Sequence, residues 1–449
     1  MIRQSHVAAL VRAAIAVPLI CASSAAADEP VRLQERFAPG SQYHVSCRVE
    51  LSGTLALPAD KSQAAPKPLT VTGTSAIEYD ERVLTVANDG QVQKTVRIYR
   101  RVDFDRKVGD QPQKTTIRPA VRRLIVLRLK HKEVPFSPDG PLTWGEIDLV
   151  RTDVFTPALA GMFPQGSARP GERWAATNAA IEELTDMERI DEGRIECRLE
   201  EITTLSGRRH ARVSFAGTVR GVNEDGPNRQ QLDGYFYFDL ESDHLSYLSL
   251  KGIHSLLDKD GKEAGRIEGR FVLTRQTNTK ARDLSDEALR GVTVEPNAEN
   301  TLLLYDNPDL GVRLLHPRRW RVAGVRGRQL ALDEASGSGL MLTLEPRDRV
   351  PTGAQFMAES KKYLQQQKAK PLRVEQIRRL QAAPMELEQF ALEVEAANQR
   401  VLMDYYVIRQ PQGGGVVAAR LLPNDLAAVR KEAYQIARSI TITRTIEAK

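Results

Sequence analysis

Few residues of this chain have the types and spacing that catalysis or metal binding needs. The six histidines beyond residue 27 are scattered, and no two of them stand four residues apart, as a metal-binding pair on a helix would. The spacings typical of serine hydrolases, zinc proteases, phosphate-binding loops and dinucleotide-binding turns are absent from the sequence. Asp258 and Asp260 resemble the start of a calcium loop, but Gly261 falls two positions early, which indicates a hairpin turn. We therefore predict no cofactor, no metal site and no enzymatic activity; the alternative is a hydrolase whose groups converge only in the folded chain.

The first 27 residues have the form of a secretory signal. Arg3 and Arg12 flank the start of a short apolar run, and Ala25 and Ala27 form a small-residue cleavage site. We predict cleavage after Ala27 and export to the periplasm or the cell exterior. Removal of these residues lowers the formal net charge from +6 to +4, because they contain two arginines and no acid. Such a weak, well-mixed charge argues against a nucleic-acid partner, and no later apolar run reaches the ~20 residues of a transmembrane helix.

Cys47 and Cys197 lie in strand-like segments of the predicted mature chain. Disulfides persist in exported proteins, and a bond between these two would be worth roughly 4–5 kcal/mol in the chain-entropy model. The alternative is two buried thiols on separate strands, which behave as small hydrophobic side chains. Both interpretations stay open, because nothing in the sequence brings the two strands together.

Two groups of residues are candidates for binding. The first is a basic stripe that could contact anionic lipid head groups or acidic glycans, and its members are Arg122, Arg123, Arg128, Lys130 and Lys132. The alternative is an ordinary solvated sheet face. The second is an aromatic group that could line a concave apolar cavity, and it consists of Tyr235, Phe236, Tyr237, Phe238 and Tyr247. The alternative is core packing of the phenylalanines and cross-strand pairing of the tyrosines.

Strand-type alternation dominates residues 28–275 and is interrupted by a helical segment at 143–163. Thr143 and Glu146 have the spacing of a capping box, in which each side chain satisfies a backbone N–H at the helix start. The strands on both sides have the same character, so we interpret the segment as an internal element that covers one face or mouth of a single sheet. Phe155 and Phe163 would then form a lid over a ligand.

Residues 276–299 are polar and predict a linker with one short helical turn capped by Ser285. Beyond residue 300, strand signals alternate with helix signals. One helix is predicted to start at Thr352, where Gln355 completes a second capping box. The sequence thus predicts a second domain of mixed composition at residues 300–446.

Two resemblances to known families add to this picture. The segment LTWGEIDLV (residues 142–150) and the box PGERW (170–174) resemble a group of uncharacterised exported bacterial proteins, whose long strands are similar in kind to the half-barrel of LolA-like periplasmic lipoprotein carriers. YDNP (305–308), GVRL (311–314) and PRRW (317–320) resemble the PsbP-like α/β/α sandwich. The second resemblance implies a binding or accessory role without catalytic residues.

We therefore expect an α+β protein. A large curved antiparallel sheet, shaped as a half-barrel or clam, would occupy residues 28–275, and a PsbP-like α/β/α sandwich would follow at 300–446. The expected function is a non-catalytic exported binding or accessory protein of the cell envelope, which holds an apolar small molecule or lipid in the concave sheet. The alternative is a scaffold that docks onto an envelope protein partner through the PsbP-like domain.

Overall fold

A computed structural model describes most of the chain beyond residue 28. The described ranges are residues 29–56, 68–129, 132–151, 153–224, 226–277, 279–382, 385–396 and 399–447. The predicted signal segment and Lys130 lie outside these ranges, and the side chain of Lys132 is not described.

The part of the chain before residue 280 is built mainly from long strands. They are β1 (Val31–Arg32), β2 (Gln42–Leu55), β3 (Leu69–Val86), β4 (Val92–Val108), β5 (Gln111–Thr115), β6 (Arg123–Leu129), β7 (Lys132–Phe136), β8 (Ser167–Ala168), β9 (Arg173–Ala175), β10 (Arg189–Leu205), β11 (Arg208–Asn223), β12 (Gly226–Asp239), β13 (His244–Leu257) and β14 (Glu263–Thr277). Three α-helices and three 3-10 helices belong with them: α1 (Trp144–Arg151), α2 (Asn178–Thr185), α3 (Asp286–Leu289), Pro119–Val121, Thr156–Met162 and Arg282–Leu284.

Twelve of these strands form one antiparallel sheet in the described part of the chain. Its order is β7-β6-β4-β3-β2-β14-β13-β12-β11-β10-β9, with β5 paired to β4. The first long strand, β2, pairs with the last, β14, and Cys47 stands opposite Leu273. The strands before and after the helical segment therefore belong to a single sheet, as the sequence analysis predicted.

The helical segment packs on the inner face of this sheet, which we define as the face that carries Cys47. Ile147 of α1 and Leu159 of the 3-10 helix share one buried cluster with Val45 and Phe236. These side chains are at most 3% exposed. The inner face is thus filled by the protein's own side chains, and the prediction that residues 143–163 cover one face of the sheet is confirmed.

Both predicted capping boxes are present. The Thr143 hydroxyl accepts a hydrogen bond from the Glu146 backbone N–H at 3.2 Å, and the Glu146 carboxylate accepts one from the Thr143 N–H at 2.8 Å. Thr352 and Gln355 form the same reciprocal pair at the start of the helix that follows them. The Ser285 hydroxyl likewise accepts a hydrogen bond from the Ala288 N–H and caps α3.

Replacing Thr143 with alanine will lower the free energy of unfolding by about 1 kcal/mol, because one N–H at the start of α1 loses its acceptor. Urea denaturation of the wild type and Thr143→Ala measures this loss. Thr143→Ser keeps the hydroxyl and serves as the control, with a loss of at most about half as much. Equal stability of the alanine variant and the wild type would contradict the described helix start.

The chain after residue 300 forms two further sheets. Their strands are β15 (Leu303–Asn307), β16 (Val312–His316), β17 (Trp320–Arg326), β18 (Gln329–Glu334), β19 (Gly339–Glu345), β20 (Lys370–Ala382), β21 (Met385–Ala396), β22 (Gln399–Gln410), β23 (Gly413–Leu421) and β24 (Thr441–Ile442). A 3-10 helix at Arg347–Arg349 precedes α4 (Gly353–Gln366), and α5 (Leu426–Ser439) precedes β24. The seven-stranded sheet has the antiparallel order β17-β18-β19-β23-β22-β21-β20, and β15, β16 and β24 form a small sheet beside it.

The expected α+β class with an α/β/α sandwich is wrong. Strands make up 57% of the structure and helices only 16%, in several antiparallel sheets. The two long helices are small compared with the seven-stranded sheet. Helices α4 and α5 have 14 residues each, so each is ~21 Å long and ~10 Å wide, whereas seven strands span about 29 Å. Each helix therefore covers only part of the sheet and does not form a layer. The large β-sheet of the first part of the chain is what the structure bears out of this prediction. The division into two domains stays a prediction.

In the described ranges, every helix is too short or too polar to cross a membrane.

Candidate functional site

A cavity of about 820 Å³ lies at the edge of the helical segment. We call it the 155–166 cavity, because residues of that stretch form one of its walls. The opposite wall comes from residues 32–37, from the turn at 88–92 between β3 and β4, and from the start of α2. Its apolar lining consists mainly of Phe155, Pro157, Ala158, Ala160, Phe163 and Pro164. Its charged lining consists of Arg32, Glu35, Arg36, Asp89 and Arg128.

Residues within and beside the 155–166 stretch determine the local structure of this wall. Pro157 occupies the first turn of the 3-10 helix, where a missing N–H costs nothing. Gly161 lies against Thr177, and a Cβ atom added to it would meet the threonine hydroxyl at 2.1 Å. The indole N–H of Trp174 donates a hydrogen bond to the Met162 carbonyl at 2.8 Å. Thr177 and Trp174 therefore contact the wall at two successive residues, Gly161 and Met162.

Phe155 and Phe163, the predicted lid residues, both line this cavity. Phe163 packs edge-on against Phe236 and Phe238, with ring centroids 5.7 and 5.1 Å apart. Phe155 is 1% exposed, and the guanidinium of Arg128 lies 5.1 Å from its ring centroid. The two rings are anchored in the core and form the floor of the cavity, so the half-buried Ala158 and Ala160 are the positions nearest to an opening.

Beneath the floor lies a buried ion cluster, which we define as Arg97, Glu81 and Asp153. All three side chains have no exposed surface. Arg97 Nε donates to Glu81 Oε1 and Arg97 Nη1 donates to Asp153 Oδ2, each at 2.8 Å. Glu81 and Arg97 stand directly opposite each other on β3 and β4, whereas Asp153 follows α1. The cluster therefore ties the helical segment to the sheet.

Neutral groups complete the surroundings of Asp153. The hydroxyls of Tyr79 and Tyr99 donate to its two oxygens at 3.2 and 3.4 Å, and the Cys47 thiol donates at 3.6 Å. Burial raises the pKa of Asp153 to about 6, although Arg97 opposes this shift. Burial and the nearby carboxylate of Asp153 raise the pKa of the Cys47 thiol. A thiol in such surroundings is unreactive.

A second charged group borders the cavity. Arg128 Nη1 donates to Glu183 Oε2 at 2.6 Å and lies 3.9 Å from Glu133 Oε1. The other oxygen of Glu183 accepts the Phe155 N–H at 2.5 Å. Burial and, secondarily, the charge of Glu183 raise the pKa of Glu133 to about 8. Two carboxyls thus compete for one arginine beside the cavity.

The described residues of the predicted basic stripe do not form one cationic surface. Arg122 is exposed, but Arg123 is paired with Asp139 through Nε at 3.0 Å. The Arg128 side chain is 13% exposed and paired as described above. Lys130 lies outside the described residues, and nothing is described of the Lys132 side chain. The stripe, as far as it is described, contributes one arginine to the cavity and no continuous anion-binding face.

The three predicted ligand-face tyrosines lie on the outer face of the sheet, opposite the core. Phe236 and Phe238 are fully buried, and Tyr235 and Tyr237 alternate with them along β12. Tyr237 stands opposite Tyr247 of β13. Of the two interpretations of these tyrosines, the structure contains the cross-strand pairing, and the tyrosines do not line the inner face.

Of the two interpretations of Cys47 and Cys197, the structure contains the pair of buried thiols and not the disulfide. Among the described residues, Cys47 and Cys197 are both free and buried. Cys47 lies on β2 and Cys197 on β10, and four strands separate β2 from β10 in the sheet. At ~4.8 Å per strand, this separation is far beyond the Cα–Cα distance of up to ~6.8 Å that a disulfide needs. Burial raises the pKa of Cys197 to about 12, so this thiol is also unreactive.

Sequence reasoning missed the buried ion cluster. Glu81 falls on the same side of β3 as Ile77 and Tyr79, which are core residues. A charged residue at a core position of an alternating strand is therefore the signal that could have found it. In the described ranges, no group of three or more His, Cys, Asp or Glu side chains could hold a metal ion.

Comparison with known proteins gives only weak likenesses. No protein-family profile and no curated protein matches the chain, so no such match supports the resemblance to exported β-rich proteins or to LolA-like carriers. Part of the chain is similar to the Ran-binding protein Mog1p of Saccharomyces cerevisiae, with 13% identity, a TM-score of 0.26 and coverage of 32% of this chain and 96% of that chain. It is also similar to the cyanobacterial PsbP (CyanoP) of Synechocystis sp., with 13% identity, a TM-score of 0.24 and coverage of 31% and 92%. PsbP is thus a weak structural neighbour of part of the chain, and nothing below rests on either likeness.

Proposed function

We propose that this protein is a non-catalytic, exported binding protein of the cell envelope, which holds one small amphipathic molecule in the 155–166 cavity. The observation that carries the proposal is the cavity itself, because about 820 Å³ lies within the ~300–1,000 Å³ range of small-molecule sites. The signal-like first 27 residues support export. The ligand site lies at the edge of the helical segment and not in the sheet concavity, since side chains of the core fill the inner face.

The lining defines the chemistry of the ligand. Rings and methyl groups of the 155–166 stretch would cover its apolar body. Arg32 and Arg36 are exposed at the cavity, where they would meet an acidic group of the ligand and leave it partly in water. Arg128 is already neutralised by Glu183, so the acidic group would face the other two arginines. An amphipathic molecule with one anionic end fits this lining better than a wholly apolar one.

The alternative, a scaffold that docks onto an envelope protein partner through the C-terminal part, has one observation in its favour. Leu372 and Val374 on the edge strand β20 are 40% and 38% exposed. However, register shifts interrupt this strand twice, and Lys370 and Arg373 lie along it. Bulges and charges of this kind prevent strand addition at sheet edges. The cavity is therefore the better-supported site.

Filling the cavity tests the proposal. The fluorescent probe 8-anilinonaphthalene-1-sulfonate combines aromatic rings with one sulfonate, and we expect it to bind at a ratio of one per chain. Ala160→Trp will weaken this binding at least tenfold, because the indole occupies the ligand volume without removing a core side chain. Fluorescence titration at neutral pH measures the affinity.

Ala335→Trp is the matched control, since Ala335 is exposed in the turn between β18 and β19. This variant should bind the probe like the wild type, and both variants should melt within a few degrees of it. Equal affinities of Ala160→Trp and Ala335→Trp would contradict the proposal, and so would probe binding to several sites with no saturation at one.

A further inference from the structure

The outer face of the twelve-stranded sheet carries an aromatic platform, which we define as Tyr235, Tyr237 and Tyr247. Their ring centroids lie 5.7–6.0 Å from one another. The Arg212 guanidinium lies 5.4 Å from the Tyr235 centroid and extends the platform by one strand. All three tyrosines are half-buried, so the rings pack on one another and still present surface and hydroxyls to the solvent.

A groove of about 720 Å³ adjoins this platform. We call it the outer groove. Asp233 lines it and lies two residues before Tyr235 on β12, so both side chains point to the same face of the strand. Two residues span ~7 Å along a strand. Lys251, opposite Asp233 on β13, also lines the groove. One ligand could therefore contact the platform and the groove together.

Two rows of mostly polar side chains, from six neighbouring strands, border the outer groove, and backbone and aliphatic groups form much of its floor. One row runs across the sheet through Asp233, Lys251, Arg270, Glu50, Thr74 and Asp105. The next row runs through Gln231, Ile253, Glu268, Ser52, Thr72 and Lys107. Between the rows, Gly73, Gly252 and Gly269 contribute bare backbone. Six strands at ~4.8 Å spacing make the groove roughly 24 Å long in the direction across the strands.

The charges of the groove nearly cancel. Four carboxylates (Glu50, Asp105, Asp233, Glu268) face three cations (Lys107, Lys251, Arg270) among the lining residues. A site for nucleic acid or for another polyanion concentrates positive charge, which this groove does not. An apolar ligand would strip water from these charged groups without replacing their hydrogen bonds, at a cost in free energy.

We propose that the aromatic platform and the outer groove together bind a neutral oligosaccharide. A sugar ring has an apolar C–H face that packs on an aromatic ring, and the edges of the platform tyrosines supply hydroxyls beside it. Sugar hydroxyls both donate and accept hydrogen bonds, and they match the two bordering rows, which offer carboxylates and hydroxyls as well as ammonium, guanidinium and amide groups. The length of the groove fits a chain of sugars and exceeds one ring. This site is separate from the 155–166 cavity and does not rest on it.

The test measures binding of four neutral hexasaccharides, built from β-1,4-glucose, α-1,4-glucose, mannose and N-acetylglucosamine, by isothermal titration calorimetry with the full chain after the signal segment. We expect saturable binding of at least one of them. Tyr235→Ala/Tyr247→Ala will weaken it at least tenfold, because the platform is lost. Thr74→Trp, which places an indole over the exposed floor of the groove, will weaken it to a similar extent.

Three controls make the result specific. Tyr363→Ala removes a tyrosine that is 59% exposed on α4 and should leave sugar binding unchanged. Tyr235→Phe/Tyr247→Phe keeps the rings and should retain most of the affinity. Ala160→Trp should not alter it, which separates this site from the cavity. Binding of none of the four sugars would overturn the proposal, as would tighter binding of heparin than of any neutral sugar, or equal losses in Tyr363→Ala and the platform variant.

Discussion

Arg97→Ala will lower the free energy of unfolding by about 3–5 kcal/mol, because it leaves Glu81 and Asp153 as buried carboxylates without their cation. Both carboxylates are fully buried and each lies 2.8 Å from an arginine nitrogen. Asp153 also holds the start of the stretch that forms the cavity wall. We therefore expect Arg97→Ala to weaken probe binding in the 155–166 cavity even where the protein is still folded. Urea denaturation followed by circular dichroism measures the stability, and fluorescence titration measures the binding.

Arg100→Ala is the matched control, since Arg100 lies on the same strand but is 42% exposed and pairs with Asp80 and Asp283, each at 2.9 Å. An exposed pair of this kind contributes no more than about 1 kcal/mol. The triple variant Arg97→Met/Glu81→Gln/Asp153→Asn removes all three charges together and should recover at least half of the lost stability. Similar losses in Arg97→Ala and Arg100→Ala, or a triple variant that is less stable than Arg97→Ala, would show that the unpaired charges are not the cause.

The features that could be predicted from the sequence are those fixed by neighbouring residues. The Thr143 and Thr352 capping boxes depend on residues three positions apart, and both are present. Alternation along β12 correctly separates Phe236 from Tyr237, but it does not state which face is the core. For that reason the cross-strand tyrosines were open to two interpretations, and the structure places them on the outer face.

The features that could not be predicted depend on the order of strands. The pairing of β2 with β14 joins residues more than 200 positions apart, and no local pattern encodes it. The two interpretations of Cys47 and Cys197 stayed open for this reason, because only the strand order shows that the two cysteines lie on strands that are not neighbours. The burial of Arg97 could not be predicted for a different reason. The apolar Val96 and Ile98 indicate that their own face of β4 is the buried one, which would leave Arg97 on the exposed face. In the structure both faces of β4 are covered, and Arg97 is buried on the face opposite Val96.

The C-terminal part shows the limit of a resemblance that rests on short motifs. YDNP (305–308), GVRL (311–314) and PRRW (317–320) resemble the PsbP-like sandwich, but such short segments say nothing about how much of a sheet each helix covers. The cavity likewise has no sequence signature, since its walls come from residues near 35, 90, 128 and 160. Of the predicted site residues, Phe155, Phe163 and Arg128 fall on its lining, and the role of the two phenylalanines as a lid stays a prediction.

Raising the pH from 6.5 to 9 will lower the free energy of unfolding, and Glu133→Gln will remove most of this loss. The pKa of Glu133 is raised to about 8 in the folded protein, from an ordinary 4.5. Between these values the folded state binds more protons than the unfolded state, so stability falls as pH rises. The stabilising effect of the proton is complete below about pH 4.5 and is lost as pH rises through 8. Asp153, with a pKa of about 6, adds a slope at lower pH, which is why the test starts at 6.5.

Glutamine resembles the protonated form of Glu133 in shape and charge. At pH 9, Glu133→Gln should therefore be more stable than the wild type by on the order of 2–4 kcal/mol, whereas near pH 5 the two should be nearly equal. Glu299→Gln, at an exposed position, serves as the control and should follow the wild-type curve. Urea denaturation at four pH values measures the stability of all three proteins.

The position of Arg128 determines the charge of Glu133. Arg128 lies 2.6 Å from Glu183 but 3.9 Å from Glu133, so it stabilises the ionised form of Glu183 more than that of Glu133. If Arg128 stabilised the ionised form of Glu133 as strongly as that of Glu183, Glu133 would be ionised at neutral pH. Glu133→Gln would then destabilise the protein at pH 9, and this result would contradict the raised pKa.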